Sequence, residues 1–276
     1  MAAPASRSHV AEGTEVSKTA GLHQYVPPQH GAWAFLGLPV LLALTVTPWS
    51  WLIVVLTLAW VLAYPWSYAA LGLVRAKRPA RFRRPFMVFS IALVPLVVAL
   101  MVARPWLLWA GLGLMLLFAV NVAYARRNDE RSLVNDGVLI VECAAMVPIT
   151  WAVAVGGQSF TAPSLVSVPT EIWVLTVLCA LVLVGSTLHV KSLIRERRDP
   201  RYAAASRIVA VASVGAAVGL ALWWGVPGGW WLVVPFVLLA VRAFVVGRRP
   251  LRPGVIGMIE LAAFVVAVLA AVLAAA

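Results

Sequence analysis

Neutral, apolar runs of about the length of a membrane-spanning helix alternate along this chain with short clusters of charged and turn-forming residues. Read between those clusters, the pattern predicts spans at 31–47, 51–73, 86–103, 106–125, 137–155, 171–190, 206–224, 230–247 and 255–275, nine in all. Two of the divisions fall inside runs with no charge. Gly31 to Val74 is about twice the roughly 20 residues a span needs, and Thr47-Pro48-Trp49-Ser50 supplies its turn. Val226-Pro227-Gly228-Gly229 does the same between Ile208 and Val241. The expected fold is all-α: a polytopic transmembrane helix bundle forming one domain over residues 29–276. Residues 1–28 are polar and contain no apolar core of the kind a secretory signal needs, so they are expected to form a disordered cytoplasmic tail.

Composition agrees. Hydrophobic residues make up 63% of the 276 positions and charged residues 12%, against about 45–50% and about 25% in soluble domains, which excludes an ordinary soluble fold. The net charge of +12 would suggest nucleic acid if it lay along one surface, but it sits in the loops between spans, so no nucleic-acid partner is expected. With the amino terminus inside, 21 of the 22 Lys and Arg fall on the inner side and only Arg104 on the outer. That is the bias which sets the orientation of a membrane protein. Ten of the 13 tryptophans, among them Trp49, Trp106, Trp173 and Trp230, lie near the predicted outer turns, where an indole ring is buried and its N–H is wet. Cys143 and Cys179 sit in apolar runs and read as small hydrophobes. No zinc spacing, Walker loop, dinucleotide turn or nucleophile elbow is present.

The inner side therefore holds the candidate chemistry, in three segments. Gln29-His30-Gly31-Ala32-Trp33 enters the first span, with His30 able to titrate or ligate near neutrality. Asn121 to Asp136 reads NVAYARRNDERSLVND. Steps of three and four would put Asn121, Tyr124, Asn128, Arg131 and Asn135 on one face of a fourth helix continued past the membrane, with Asp129, Glu130 and Asp136 off that line. His189 to Arg201 reads HVKSLIRERRDPR. Here His189, Ser192, Glu196 and Asp199 form one stripe and Lys191, Arg195 and Arg198 another, before Pro200 ends the helix. Arginines so grouped match phosphate bidentately, and the same cations also serve orientation and anionic lipid.

A fourth group follows from depth. Glu142, Arg242 and Glu260 each lie about five residues inside a predicted span, about 8 Å from its end. A charge there faces the bundle interior or snorkels. Arg242 and Glu260 are predicted to pair across the short loop joining the last two helices, with Glu142 and Asn121 in the same polar layer.

The motifs PPQHGAW (Pro27 to Trp33), NVAYARRNDERSLVND and LHVKSLIRERRDPRY (Leu188 to Tyr202) resemble those of the YwiC-like membrane proteins of bacteria over nearly the whole transmembrane region. That resemblance implies a location and no activity. A more distant architectural similarity is to UbiA-type prenyltransferases, which have nine helices and bind a prenyl diphosphate through Mg²⁺ at aspartate-rich motifs on the cytoplasmic side. Mg²⁺ is implied as a cofactor only through this second resemblance. The motifs differ: the second span ends in Tyr64-Pro65-Trp66-Ser67-Tyr68 and Arg75, and cations largely replace the paired aspartates expected after the sixth helix.

The leading expectation is a polar, basic site at the inner ends of helices 1, 4, 5 and 6, with membrane lipids as partners and a phosphorylated or prenylated (isoprenoid) lipid as ligand. Trp33, Asn121, Tyr124, Asn128, Lys191, Arg195, Arg197 and Arg198 are its candidate binding residues. In an enzyme version the arginines hold phosphate, Asp129, Glu130 and Asp136 hold a metal ion, and His30 or His189 moves protons. The alternatives are a small-solute transporter, for which Pro65, Pro95, Pro148 and Pro235 are the candidate helix breaks, and a structural membrane protein without catalysis.

Overall fold

A computed structural model describes Tyr25, residues 32–246 and residues 251–276 of the chain. Among them are nine α-helices: α1 (Ala32–Leu44), α2 (Trp51–Arg75), α3 (Ala80–Ala103), α4 (Leu107–Arg126), α5 (Leu133–Val155), α6 (Thr170–Leu193), α7 (Pro200–Trp224), α8 (Val234–Val245) and α9 (Pro253–Ala275). A 3₁₀ segment, Gly228–Val233, leads into α8 and extends it to membrane-spanning length. Eight of these helical stretches are long and apolar enough to cross a membrane; the chain is a multi-pass membrane protein. The tail of residues 1–28, apart from Tyr25, lies outside the described residues.

The exception in length is α1. Its 13 residues rise about 20 Å, short of the roughly 30 Å hydrocarbon core. The span predicted at 31–47 ends early because Thr45 Oγ1 donates back to the Leu42 carbonyl at 2.8 Å and the Thr47 N–H turns back to Ala43. Its position compensates: Leu38, Leu42 and Ala43 are fully enclosed, and α1 packs on α5, α6 and α9.

The core forms around α6, which packs on α1, α5, α7, α8 and α9 and has eleven buried residues. By contrast α3 buries three residues and α4 two. These two helices lean on α2 and α5 at the periphery and offer long apolar faces to lipid. One close approach holds α3 to α2. Gly72 lies where a Cβ would come 2.5 Å from Cδ1 of the buried Phe82.

The two ends of the bundle differ in chemistry. At the tryptophan-rich end, Trp109 Nε1 donates to the Phe160 carbonyl and Trp224 Nε1 to the Ala274 carbonyl. Arg104 also lies there, donating from Nε to the Val153 carbonyl at 2.9 Å and from Nη1 to the Ala103 carbonyl at 3.1 Å. A guanidinium thus sits where α3 and α5 both end, against the negative ends of two helix dipoles. The basic loops meet at the opposite end, where the candidate site lies. Pro65, Pro95 and Pro148 lie inside continuous helices and Pro235 in the first turn of α8. None of the four interrupts a helix at mid-membrane.

Candidate functional site at the basic end

Between α4 and α5 the chain turns sharply. Asn128 takes a left-handed conformation, φ 54°, which asparagine tolerates better than most residues. Ser132 then caps α5 by accepting the Asn135 N–H at 3.2 Å. This turn is fixed from two sides. Glu130 pairs with Arg75 at the end of α2, and its carbonyl accepts from Asn135 Nδ2 at 2.9 Å. The Arg75 guanidinium in turn lies over the Tyr68 ring, 5.6 Å from its centre.

On α6, Lys191 reaches the same turn. Its ammonium group lies 2.6 Å from Asp136 Oδ2 and donates to the Arg131 carbonyl. Lys191 is buried, so its charge is matched by a carboxylate rather than by water.

One turn deeper, Arg242 Nη1 of α8 meets Glu260 Oε2 of α9 at 2.5 Å, and Ser186 Oγ donates to the same carboxylate oxygen at 2.5 Å. His189 is enclosed beside them, its Nδ1 3.4 Å from Ser206 Oγ of α7. Several polar atoms in this region are buried without a protein partner: His189 Nε2, Arg242 Nε and Glu260 Oε1. Four helices, α6 to α9, converge here on a polar interior that has hydrogen-bonding capacity left over.

A cavity of about 1010 Å³ runs from this region along the bundle between α1, α6 and α9. Its polar end is lined by Asp136, Ser186, Lys191, Arg195 and Glu260, and Trp33 stands beside them. Its other end is lined by Leu41, Phe264, Val265, Val268 and Leu269. Leu41, Leu261, Val265 and Leu269 are also exposed, so the cavity is a groove open toward the lipid rather than a closed chamber. Such a shape suits a molecule with a polar head and a hydrocarbon tail.

The structure brings Trp33, Asp136, Lys191, Arg195 and Glu260 to one groove and holds Arg242 and His189 behind it. It divides the rest. Helix α4 stops at Arg126 instead of continuing, because the chain reverses at Asn128; the face expected to carry Asn121, Tyr124, Asn128, Arg131 and Asn135 therefore does not exist as one surface. Likewise α6 ends at Leu193, and Pro200 begins α7 rather than ending α6, with Asp199 capping it through the Arg201 N–H at 2.9 Å. Arg197 and Arg198 lie exposed in the intervening turn and do not line the groove.

The predicted polar layer is two layers. Arg242 and Glu260 form one. Glu142 accepts from Asn121 Nδ2 at 3.1 Å and lines a different cavity, between α2, α3, α4 and α5. The carboxylates Asp129, Glu130 and Asp136 do not converge either: Asp129 is exposed, Glu130 and Asp136 are taken by Arg75 and Lys191, and no group of three potential metal ligands forms among the described residues. His30 lies outside the described residues.

Sequence reasoning missed Ser186, Ser206 and Arg75. Ser186 had a signal, since it stands three residues before His189 and so shares its face of α6. Arg75 and Ser206 had none, because their partners Glu130 and His189 lie on other elements, far along the chain or across a turn.

The motif at Trp33 and the turn at Asn128 both fall within residues 26–151, the stretch matched by the profile of the family described as YwiC-like protein. This stretch is YwiC-like. The likeness continues past it. The uncharacterized protein YwiC of Bacillus subtilis is 28% identical over 239 residues, covering 86% of this chain and 92% of the relative. An uncharacterized protein of Haemophilus influenzae is 27% identical over 236 residues, covering 85% of this chain and 91% of the relative. No solved structure matches the chain. The YwiC-like resemblance expected from the motifs is thus found, whereas none of these matches shows a likeness to UbiA-type enzymes.

Proposed function

We propose that this protein binds an anionic, phosphorylated or prenylated lipid-like molecule in the groove between α1, α6 and α9, its head at Lys191 and Arg195 and its hydrocarbon along α9. The observation that carries this reading is the groove's graded lining, polar and charged at the basic end and wholly apolar toward mid-membrane. Charge matching adds to it. Asp136 offsets Lys191 and Glu260 offsets Arg242, while Arg195 at the mouth has no ion-pair partner among the described residues. The head group that fits is therefore an anion, which arginine holds bidentately when it is a phosphate.

The loops that carry the cations face the cytoplasm in this reading, with the protein in the bacterial cytoplasmic membrane, because cations retained on the inner side set topology. Prenyl transfer would require Mg²⁺ among Asp129, Glu130 and Asp136. Glu130 and Asp136 already hold Arg75 and Lys191, so the reading is of binding rather than of metal-assisted transfer.

The test is the lipid that co-purifies. Protein extracted in mild detergent is expected to carry one anionic lipid class enriched at least fivefold over the host membrane. Arg195→Glu and the groove-filling Val265→Trp are each expected to abolish that enrichment. Co-purified lipid of bulk membrane composition, or equal enrichment in both variants, would overturn the proposal.

A further inference from the structure

A second cavity, of about 550 Å³, lies between α2, α3, α4 and α5. Its volume falls within the range of about 300–1,000 Å³ typical of small-molecule sites. Its lining is apolar and aromatic, with Trp60, Tyr64, Trp66 and Phe118 among its walls, and Glu142 is the one charged residue that lines it.

That glutamate differs from the three carboxylates that the bundle holds in ion pairs. Glu130, Asp136 and Glu260 each meet a cation within ion-pair distance, respectively Arg75, Lys191 and Arg242. Glu142 meets none among the described residues. Its one protein hydrogen bond comes from Asn121 Nδ2 to Oε1, which orients the carboxylate without neutralising it. It also lies six residues beyond Asp136 in α5, about 9 Å along the helix axis. A carboxylate at such depth is costly unless something compensates its charge, and it is retained where it serves a function.

The aromatic groups are disposed for the same purpose. Trp66 is fixed by its Nε1 donating to Ser90 Oγ at 3.0 Å and stacks obliquely on Phe118, with ring centres 5.5 Å apart. Trp60 is fixed by its Nε1 donating to the Leu36 carbonyl at 3.0 Å. With their N–H groups engaged elsewhere, both rings contribute π-electron density, which attracts a cation within about 6 Å of a ring face. Val94, Val98, Leu112 and Met115 line the cavity and are exposed, so access is from the lipid.

We propose that this second cavity is a binding site for lipophilic cations, protonated amines or onium ions carrying bulky apolar groups, with Glu142 as their counter-ion. The ligand supplies the positive charge that Arg75, Lys191 and Arg242 supply to Glu130, Asp136 and Glu260, and its apolar groups occupy the cavity that α3 and α4 leave unfilled. A plain acyl chain would fill the space and leave Glu142 uncompensated.

Equilibrium binding of radiolabelled tetraphenylphosphonium to the full chain in nanodiscs tests this. Wild-type protein is expected to bind it saturably at one site, and a neutral tetraphenyl analogue is expected not to compete. Glu142→Gln should weaken binding at least tenfold, and Glu142→Asp should keep it within about threefold. Gly111→Trp, which places a ring in the cavity from a position where a Cβ meets only Met101 Cε at 3.7 Å, should block binding with Glu142 intact. No saturable binding by the wild type, full binding by Glu142→Gln, or equal competition by the neutral analogue would each overturn the proposal.

Discussion

Arg242 and Glu260 hold each other at 2.5 Å across α8 and α9, where each is less than one-tenth exposed. Such a pair is roughly balanced between the cost of desolvating two ions and their mutual attraction, but removing one partner strands the other and costs about 3–5 kcal/mol. Arg242→Met and Glu260→Leu are each expected to lower the thermal midpoint of the detergent-solubilised protein strongly, whereas the double variant recovers most of the loss. Single variants as stable as wild type would show that the charges are not coupled.

The contact between Gly72 and Phe82 gives a steric test. A leucine at position 72 must displace a buried ring, and overpacking of this kind costs about 1–3 kcal/mol. Gly72→Leu should destabilise the protein, and Phe82→Ala should relieve part of the added cost in the double variant. Additive losses in a double-mutant cycle would mean that the two positions do not meet.

Arg104 caps two helices with one guanidinium. Hydrogen bonds to charged groups contribute about 1.5–3 kcal/mol, so Arg104→Gln is expected to destabilise by about 1–2 kcal/mol. Arg104→Lys should recover only part of that, since an ammonium group lacks the fork that reaches both carbonyls. Unfolding midpoints of the two variants check this.

Orientation can be read without removing native cysteines, because Cys143 and Cys179 are both fully buried. An impermeant maleimide should leave the wild type unlabelled on intact cells. Ser159→Cys, exposed at the tryptophan-rich end, should label at once, and Arg197→Cys, exposed in the basic turn, only after permeabilisation. The reverse pattern would place the basic end outside.

The helices were legible because burial in lipid demands length and neutrality, which a linear pattern displays. Thr47-Pro48-Trp49-Ser50 and Val226-Pro227-Gly228-Gly229 separate helices where expected. The Arg242 to Glu260 contact was legible for a related reason: two charges too deep for water, on helices joined by a short loop, have few places to go. What sequence periodicity could not supply was where a helix stops in favour of a local hydrogen bond. Asn128 and Ser132 end one helix and start another within a stretch that reads as a single polar face, and Asp199 with Pro200 does the same after α6. Nor does periodicity order the helices around α6, which is why Glu142 was expected beside Glu260 and is found on another cavity.

The exposed lining residues Leu41, Leu261, Val265 and Leu269 carry a consequence for how any occupant of the groove is measured. A molecule arriving sideways is presented at its mole fraction in the bilayer, not at its molarity in water. Partitioning has then already removed most of the apolar surface from water, so the groove need only discriminate among head groups. Its occupancy would follow membrane composition, rising when the matching lipid is a larger share of the leaflet and falling on dilution with other lipid, at constant protein and constant aqueous volume.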